Sequence, residues 1–246
     1  MPFRTIVYCC LLAFFAGCAT PKPVNKSPEA YLKDGEELYK NKQYEESITQ
    51  WKKVKEYGTA SPLLAAIADL KIADAQFESK NYIEAAASYE SFGKFHPNSE
   101  RVPYALYRLG LCNFNQVTGY DTDQTPVKNA INTFESFLKQ YPSSEFADVV
   151  RQKLADCITQ QVRYEIYIGR FYFRFGKYQA SIKRLEECVA RYPQSQILDE
   201  ALLYLEKAYL LNNEKAKGRE TFNRLFIKFP TSKYIKEANN YLKKYE

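Results

Sequence analysis

The sequence predicts an all-α protein in which pairs of helices are stacked one after another along the chain. The first observation is a boundary that occurs four times, each time with a ring side chain, a proline and a serine two residues later: residues 95–99, 140–144, 191–195 and 228–232. Proline cannot continue a helix, and a serine after it can accept from the free N–H groups that open the next one. The second observation is the spacing of the four prolines, 45, 51 and 37 residues, which is typical of a helical array.

The segments between these boundaries resemble the tetratricopeptide pattern, in which small residues let the bulky residues of a neighbouring helix approach closely. Five copies can be aligned, and the fifth is degenerate. We therefore expect about five helix pairs in a superhelix, since such repeats bury their apolar faces only by stacking. The stretch from Ser232 to Tyr245 predicts a polar capping helix at the end of the array.

Two departures from the regular pattern divide the chain. An insertion from Gln116 to Pro126 separates the helices of the third copy, and no Gly or Pro occurs between Ser144 and Ile168. The second feature predicts one long helix from about Ser144 to Phe175 that joins two halves. Repeats 1–3 would occupy residues 28–142, and repeats 4–5 with the long helix and the capping helix would occupy residues 143–246.

The N-terminus has the features of a bacterial lipoprotein signal. Arg4 precedes an apolar run from Ile6 to Ala16, which is too short to span a bilayer, and residues 15–18 resemble a lipobox that ends at Cys18. We expect residues 1–17 to be cleaved, Cys18 to carry the lipid, and residues 18–27 to form a polar tether. The alternative is an ordinary cleaved signal with an incidental cysteine. Ala19 is not the Asp that retains lipoproteins at the inner membrane in enteric bacteria, which favours the outer membrane, on its periplasmic face.

Composition argues against catalysis. Of six cysteines only Cys112, Cys157 and Cys188 would remain in the lipidated chain, at spacings that suit small core residues better than a metal or redox site. The single histidine, His96, occupies a ring position of a boundary segment. The sequence contains no nucleophile or phosphate-loop motif, and its net charge of +6 is spread without a basic block, so we expect no enzyme activity, cofactor, metal or nucleic acid.

With these features the chain resembles the BamD family, lipoproteins of the machinery that assembles outer-membrane β-barrels. The resemblance extends over nearly the whole length and is carried by the lipobox and by the following residues: Tyr104, Tyr107, Gly110, Leu111, Asp121, Asp123, Pro126, Phe134, Phe137, Tyr141, Pro142, Glu165, Tyr172, Gly176, Tyr178, Arg184, Tyr192 and Pro193. The resemblance implies a scaffold whose C-terminal half holds the periplasmic domains of the barrel protein BamA, beside other assembly lipoproteins. It also implies that the N-terminal repeats receive the C-terminal targeting strand of unfolded outer-membrane proteins.

The first helix of each pair lines the concave face of a tetratricopeptide array, and this predicts where such a strand would lie. The candidate groove residues are Leu32, Tyr39, Leu70, Phe77, Tyr104, Tyr107 and Phe114. They would form an aromatic groove suited to a strand that ends in an aromatic residue. The alternative is that several of these rings belong to the ordinary core between repeats.

Arg184 is the candidate partner-binding residue of the second half, because it matches an arginine of the family and arginine pairs well with carboxylates at interfaces. The alternative is a solvated charge. Two other functions stay open at this point: a periplasmic repeat coordinator of the Tol–Pal and peptidoglycan type, and a pilotin-like lipoprotein that escorts a secretin.

Overall fold

The computed structural model describes residues 26–56 and 60–245. Cys18, the segment expected to be a cleaved signal and most of the expected tether lie outside these residues. The described part is helical, and we number its helices as follows: α1 Pro28–Lys40, α2 Tyr44–Glu56, α3 Pro62–Glu78, α4 Tyr82–Phe95, α5 Val102–Asn115, α6 Thr125–Gln140, α7 Ala147–Arg174, α8 Tyr178–Arg191, α9 Leu198–Leu211, α10 Lys215–Lys228 and α11 Ile235–Tyr245.

The eleven helices of the described residues form five pairs and a final helix, which confirms the predicted tetratricopeptide-type array. Each helix packs on the next, while α1 also contacts α3, α7 contacts α9, and α9 contacts α11. The first helices of successive pairs therefore share one side of the array. The predicted long helix is α7, with 28 residues, and the predicted capping helix is α11.

Glycines allow the helices of a pair to approach closely. A Cβ added to Gly110 of α5 would lie 2.2 Å from the ring of Phe134 on α6, and one added to Gly35 of α1 would lie 2.3 Å from the indole of Trp51 on α2. Phe134 and Trp51 are both almost completely buried. The small residues of the repeat are thus required by the rings that face them, since interiors are packed without spare volume.

The serines of the boundary segments accept a hydrogen bond in three cases out of four. Oγ of Ser99, Ser144 and Ser232 accepts from the backbone N–H two residues later, at 3.2, 3.3 and 3.2 Å. Ser195 is the exception, because its hydroxyl has no partner among the described residues. The predicted role of the serine therefore applies to three of the boundaries.

The cysteines and the histidine are placed as predicted. Cys112, Cys157 and Cys188 are buried and unpaired, and burial raises the pKa of each thiol to about 12. His96 follows α4, with its ring centroid 5.1 Å from that of Phe92 and its Nε2 3.0 Å from Oδ2 of Asp69. The three cysteines therefore lie in the core, and the His96 ring packs at the junction that follows α4.

The insertion of the third copy forms an ordered loop between α5 and α6. The buried amide of Gln124 donates to the carbonyl oxygens of Tyr120 and Thr122, at 3.2 and 2.8 Å. This arrangement fixes the loop so that the ring of Tyr120 packs edge-on against Tyr167 of α7, with 5.9 Å between centroids.

Candidate peptide-binding groove

A large open cavity lies between α3, the end of α4 and the start of α5. Its volume is about 1050 Å³, at the upper limit of the volumes of ligand sites in proteins. One wall is a single face of α3 that carries Leu63, Ile67 and Leu70, and Tyr104 of α5 lies on the other side. This cavity is the first candidate for a binding site on the described N-terminal repeats.

The cavity has apolar side chains at its mouth. Leu63 is 70% exposed and Phe95 is 77% exposed, although both are large hydrophobic residues. Single exposed apolar residues are common, but two at the rim of an apolar cavity mark a surface that can bury a partner's side chains.

A second, smaller cavity of about 260 Å³ adjoins the first one. Tyr39 and Trp51 line it together with Lys71 and Asp74, and the last two residues also line the large cavity. The two cavities therefore follow one another along the side formed by α1, α3 and α5. We call this combined surface the N-terminal groove.

Asp74 stands between the two cavities and is held by two phenols. Its Oδ1 accepts from the hydroxyl of Tyr89 at 2.5 Å and from the hydroxyl of Tyr104 at 2.8 Å. Burial raises the pKa of the Asp74 carboxyl, while the two phenols and the nearby Arg108 guanidinium act in the opposite direction. Burial beside this carboxylate also raises the pKa of the Tyr104 phenol.

Arg108 closes the network on the side of α5. Its Nε donates to the Tyr89 hydroxyl at 3.1 Å, and its Nη2 pairs with Glu78 at 2.9 Å. The guanidinium carbon lies 3.7 Å from the centroid of the Phe77 ring. Phe77 is therefore covered by an arginine and does not line either cavity.

The groove also contains charged side chains that already have partners. Lys71 pairs at 3.0 Å with Glu36, which also lines the groove. Asp69 on the same helix lies outside the groove lining; it pairs with Lys55 at 2.7 Å and contacts His96, which lines the large cavity. These pairs link helices of neighbouring repeats. Since they are partly exposed, we assign them a small share of the stability.

Three of the seven predicted groove residues line the two cavities, and the other four do not. Tyr39, Leu70 and Tyr104 line the N-terminal groove, and burial near acidic groups raises the pKa of Tyr39 to about 12. Leu32 and Phe77 pack against core residues of the first and second repeats. The remaining two lie at the third repeat.

Tyr107 and Phe114 contact the start of the long helix region. The ring of Tyr107 stacks on Phe146 with 5.3 Å between centroids, and Lys153 of α7 lies 5.4 Å from the centroid of Phe114. Both residues pack against the core formed by α6 and α7. The structure thus places four of the seven candidates outside the cavities.

The candidate list from the sequence did not contain several residues of the groove, among them the large apolar residues Leu63, Ile67 and Phe95. Leu63 and Ile67 precede Leu70 by seven and three residues, so they share its helix face. That periodicity could have identified them. Phe95 could not be found in this way, because it is the last residue of α4, next to the boundary ring His96, and only the tertiary structure shows that it lines the cavity.

Arg184 lies on α8 and is paired within the chain. Its Nε forms an ion pair with Oε2 of Glu165 on α7, and its guanidinium carbon lies 5.4 Å from the centroid of the Tyr164 ring. Glu165 also accepts from the Gln161 amide at 2.7 Å. The Arg184 side chain is 32% exposed, so part of it is accessible to a partner.

Neither a metal site nor a membrane-spanning helix is present in the part of the chain that the structure describes. Within residues 26–56 and 60–245, no group of three or more His, Cys, Asp or Glu side chains is placed to hold a metal ion. No helix in that part of the chain is long and apolar enough to cross a membrane.

Comparison with known proteins identifies the family. The model of the YfiO family, described as outer membrane lipoprotein, matches residues 24–225. Solved structures with a similar arrangement include the TPR2AB domain of yeast Sti1, at 14% identity and a TM-score of 0.41 over 88% of this chain and 97% of that one. They also include a thermophilic TPR protein from Thermus thermophilus, at 13% identity and a TM-score of 0.38 over 88% of this chain and 99% of that one.

Several curated relatives share one name, outer membrane protein assembly factor BamD. The protein of Caulobacter vibrioides is 28% identical over 67% of this chain and 54% of its own length, so this match spans about half of that relative. The protein of Neisseria meningitidis serogroup B is 24% identical over 68% of this chain and 67% of its own length. The protein of Buchnera aphidicola is 24% identical over 84% of this chain and 89% of its own length. The chain therefore belongs to the BamD (YfiO) family of outer-membrane lipoproteins.

Proposed function

We propose that this protein is a non-catalytic scaffold for the assembly of outer-membrane proteins. In this proposal the N-terminal groove receives the C-terminal strand of an unfolded outer-membrane protein, and the C-terminal half docks a BamA-like barrel protein. The observation that supports it most directly is the cavity between α3 and α5, with its apolar wall and exposed apolar rim. The names of the curated relatives support the process in which it acts.

The shape and chemistry of the groove suit an extended strand. Apolar side chains from the strand would contact Leu63, Ile67 and Leu70, and burying one such side chain contributes about 1.5–3 kcal/mol. Polar groups in the groove, above all the Asp74 carboxylate with its two phenols, would orient the strand by hydrogen bonds. Together they favour a peptide with an apolar, aromatic end over a small polar molecule.

The location in this proposal is the periplasmic face of the outer membrane. The lipid on Cys18 would anchor the chain, with other assembly lipoproteins as neighbours, and the tether up to residue 27 would separate the first repeat from the bilayer. Three acyl chains hold a protein on a membrane far more firmly than a single one does.

Peptide binding tests the groove. The probe is a fluorescent peptide with the last residues of an outer-membrane protein of the same bacterium, and fluorescence anisotropy measures its affinity. We expect the double variant Leu63→Ser/Ile67→Ser to bind at least about tenfold more weakly, since two apolar contacts are lost. The matched control is Ile83→Ser on α4, because Ile83 is 70% exposed like Leu63 and lines no cavity of the N-terminal groove. Equal affinities for all three proteins, with unchanged helical content, would refute this groove.

Affinity purification from detergent-solubilised envelopes tests the docking part. A stoichiometric BamA-like barrel protein is the expected partner of the tagged, lipidated chain. Recovery of Tol–Pal components or of a secretin in its place would overturn the proposed function and leave the fold unaffected.

A further inference from the structure

The C-terminal half of α7 carries a stripe of arginine and aromatic residues. Arg163, Tyr167, Arg170, Phe171 and Arg174 follow one another at steps of four, three, one and three residues, which places them on one face of the helix. All five are exposed to solvent. We call this face, together with Tyr120, which packs on Tyr167, and Phe175, which follows the helix, the α7 stripe.

The aromatic rings of the stripe are exposed to solvent and pack against neighbouring rings. Phe171 is 48% exposed and Phe175 is 65% exposed, and their ring centroids are 4.7 Å apart. Tyr167 is held by Tyr120 of the insertion loop. The insertion, which departs from the repeat pattern, thus contributes a ring to this surface.

The stripe is distinct from the core of the repeats. On the neighbouring face of α7, Val162, Ile166 and Phe173 pack into the core of the C-terminal half. The helix therefore makes its core contacts through other positions, and the rings of the stripe remain uncovered within the described chain. Aromatic residues and arginine are the types enriched at protein interfaces and among their hot spots.

The charge of the stripe is positive. Arg170 pairs with Glu200 at 2.8 Å, but neither Arg163 nor Arg174 has a carboxylate within ion-pair distance among the described residues. Beside the stripe lies a cleft of about 480 Å³, formed with the residues at the starts of α9 and α11, and Lys233 adds another positive charge to its lining. The lining also contains the carboxylates of Asp199 and Glu200, but the first accepts from the Ser232 hydroxyl at 2.7 Å and the second pairs with Arg170, whereas Arg163 and Arg174 lack such partners among the described residues. A complementary partner must therefore be acidic as well as apolar.

We propose that the α7 stripe is the docking surface for an acidic protein face that also carries apolar side chains. The inference rests on the proposed docking of a BamA-like protein and assigns that docking to the stripe. Carboxylates of the partner would pair with Arg163 and Arg174, and an apolar side chain would pack on Phe171 and Phe175. A flat anionic membrane offers similar chemistry, but the cleft beside the stripe is concave and suits a protruding protein segment.

Binding of the purified periplasmic domains of the cognate BamA-like protein tests the assignment. Calorimetry would compare the full-length chain in detergent with two stripe variants, Tyr167→Ser/Phe171→Ser and Arg163→Glu/Arg174→Glu. We expect each to bind at least about tenfold more weakly, and the arginine variant to lose most of its dependence on salt concentration. The matched control is Arg224→Glu/Phe226→Ser on α10, where Phe226 is 54% exposed.

The possible results separate the two levels of the proposal. If the unmodified chain does not bind these domains, the proposed docking is wrong and the stripe assignment falls with it. If it binds, and the stripe variants bind equally well while keeping their helical content, only the stripe assignment is wrong. If the variants lose binding to vesicles with anionic lipids but not to the domains, the stripe contacts the membrane and our assignment to a protein partner is refuted.

Discussion

The hydroxyl of Tyr104 on α5 donates a hydrogen bond of 2.8 Å to Oδ1 of Asp74 on α3, in the wall between the two cavities of the N-terminal groove. The same oxygen accepts from Tyr89 on α4. One carboxylate thus links three consecutive helices at the surface where we expect a client strand. The network gives the groove a fixed polar centre, because a partly buried charge must keep its hydrogen bonds.

Removing one of these phenols should reduce stability. We expect Tyr104→Phe to lower the free energy of unfolding by about 1–3 kcal/mol, because a hydrogen bond to a charged group is lost and Asp74 keeps only one phenol donor. Urea unfolding monitored by circular dichroism measures the change. The control is Tyr107→Phe on the same helix, since the structure assigns no hydrogen bond to that hydroxyl within the described chain. An equal loss in both variants would show that the Asp74 network contributes nothing specific.

The space around Gly110 and Gly93 predicts changes in stability of opposite sign when each is replaced by alanine. Gly110→Ala should destabilise the chain by about 1–3 kcal/mol, because the added methyl group overlaps the buried ring of Phe134. Gly93→Ala on α4 should be neutral or stabilising by up to about 1 kcal/mol, since nothing lies within 4 Å of its added Cβ and alanine favours the helix. Melting temperatures of the two variants test this; a stable Gly110→Ala protein would mean that α5 and α6 can separate without loss.

The buried carboxyl group of Glu206 on α9 should make the stability of the chain depend on pH. Its side chain is fully buried, neither carboxylate oxygen has a hydrogen-bond partner among the residues that the structure describes, and burial raises its pKa to about 8. Lys207 acts against this rise, while Glu237 of α11, which pairs with Lys207, adds to it. In the unfolded chain the carboxyl returns to its ordinary pKa of 4.5.

The sign of the effect follows from these two values. Between pH 4.5 and about 8 the unfolded chain loses the proton and the folded chain keeps it, so the free energy of unfolding falls as pH rises. The fall is at most about 1.4 kcal/mol per pH unit. Glu206→Met should remove this slope and stabilise the chain at pH 8, as measured by urea unfolding between pH 5 and 9. The control Glu187→Met changes an exposed carboxylate of α8 and should leave the slope in place. A slope that survives in Glu206→Met would assign it to other groups.

The fold was predictable from sequence because its determinants are local. Proline fixes each boundary, the absence of Gly and Pro predicts the long helix, and the structure confirms α7 as Ala147–Arg174. The start differs by three residues from the expected Ser144, because the boundary serine forms a turn and accepts from the N–H of Phe146 before the helix begins.

The groove was only partly predictable because its walls depend on packing between repeats. The sequence predicted the same role for Tyr104 and Tyr107, because both lie on the first helix of the third pair. Only the tertiary structure shows that Tyr104 lines the groove whereas Tyr107 stacks on Phe146. In the same way, the pairing of Arg184 with Glu165 joins residues that are distant in sequence and lie on different helices. Contacts of this kind need the relative position of two helices, which no local pattern contains.

The Arg184–Glu165 pair separates a structural from a docking role for this arginine. Arg184→Glu places two carboxylates together between α7 and α8, so we expect it to lower the melting temperature. The exchange Arg184→Glu/Glu165→Arg restores opposite charges and should recover most of the stability. Co-purification of the BamA-like protein then decides the role: if Arg184 itself meets the partner, docking stays weak in the exchanged protein although its stability is restored. Docking that recovers together with stability would mean that Arg184 only supports the packing of α8 on α7, and docking that is unaffected in Arg184→Glu alone would exclude both roles in partner binding.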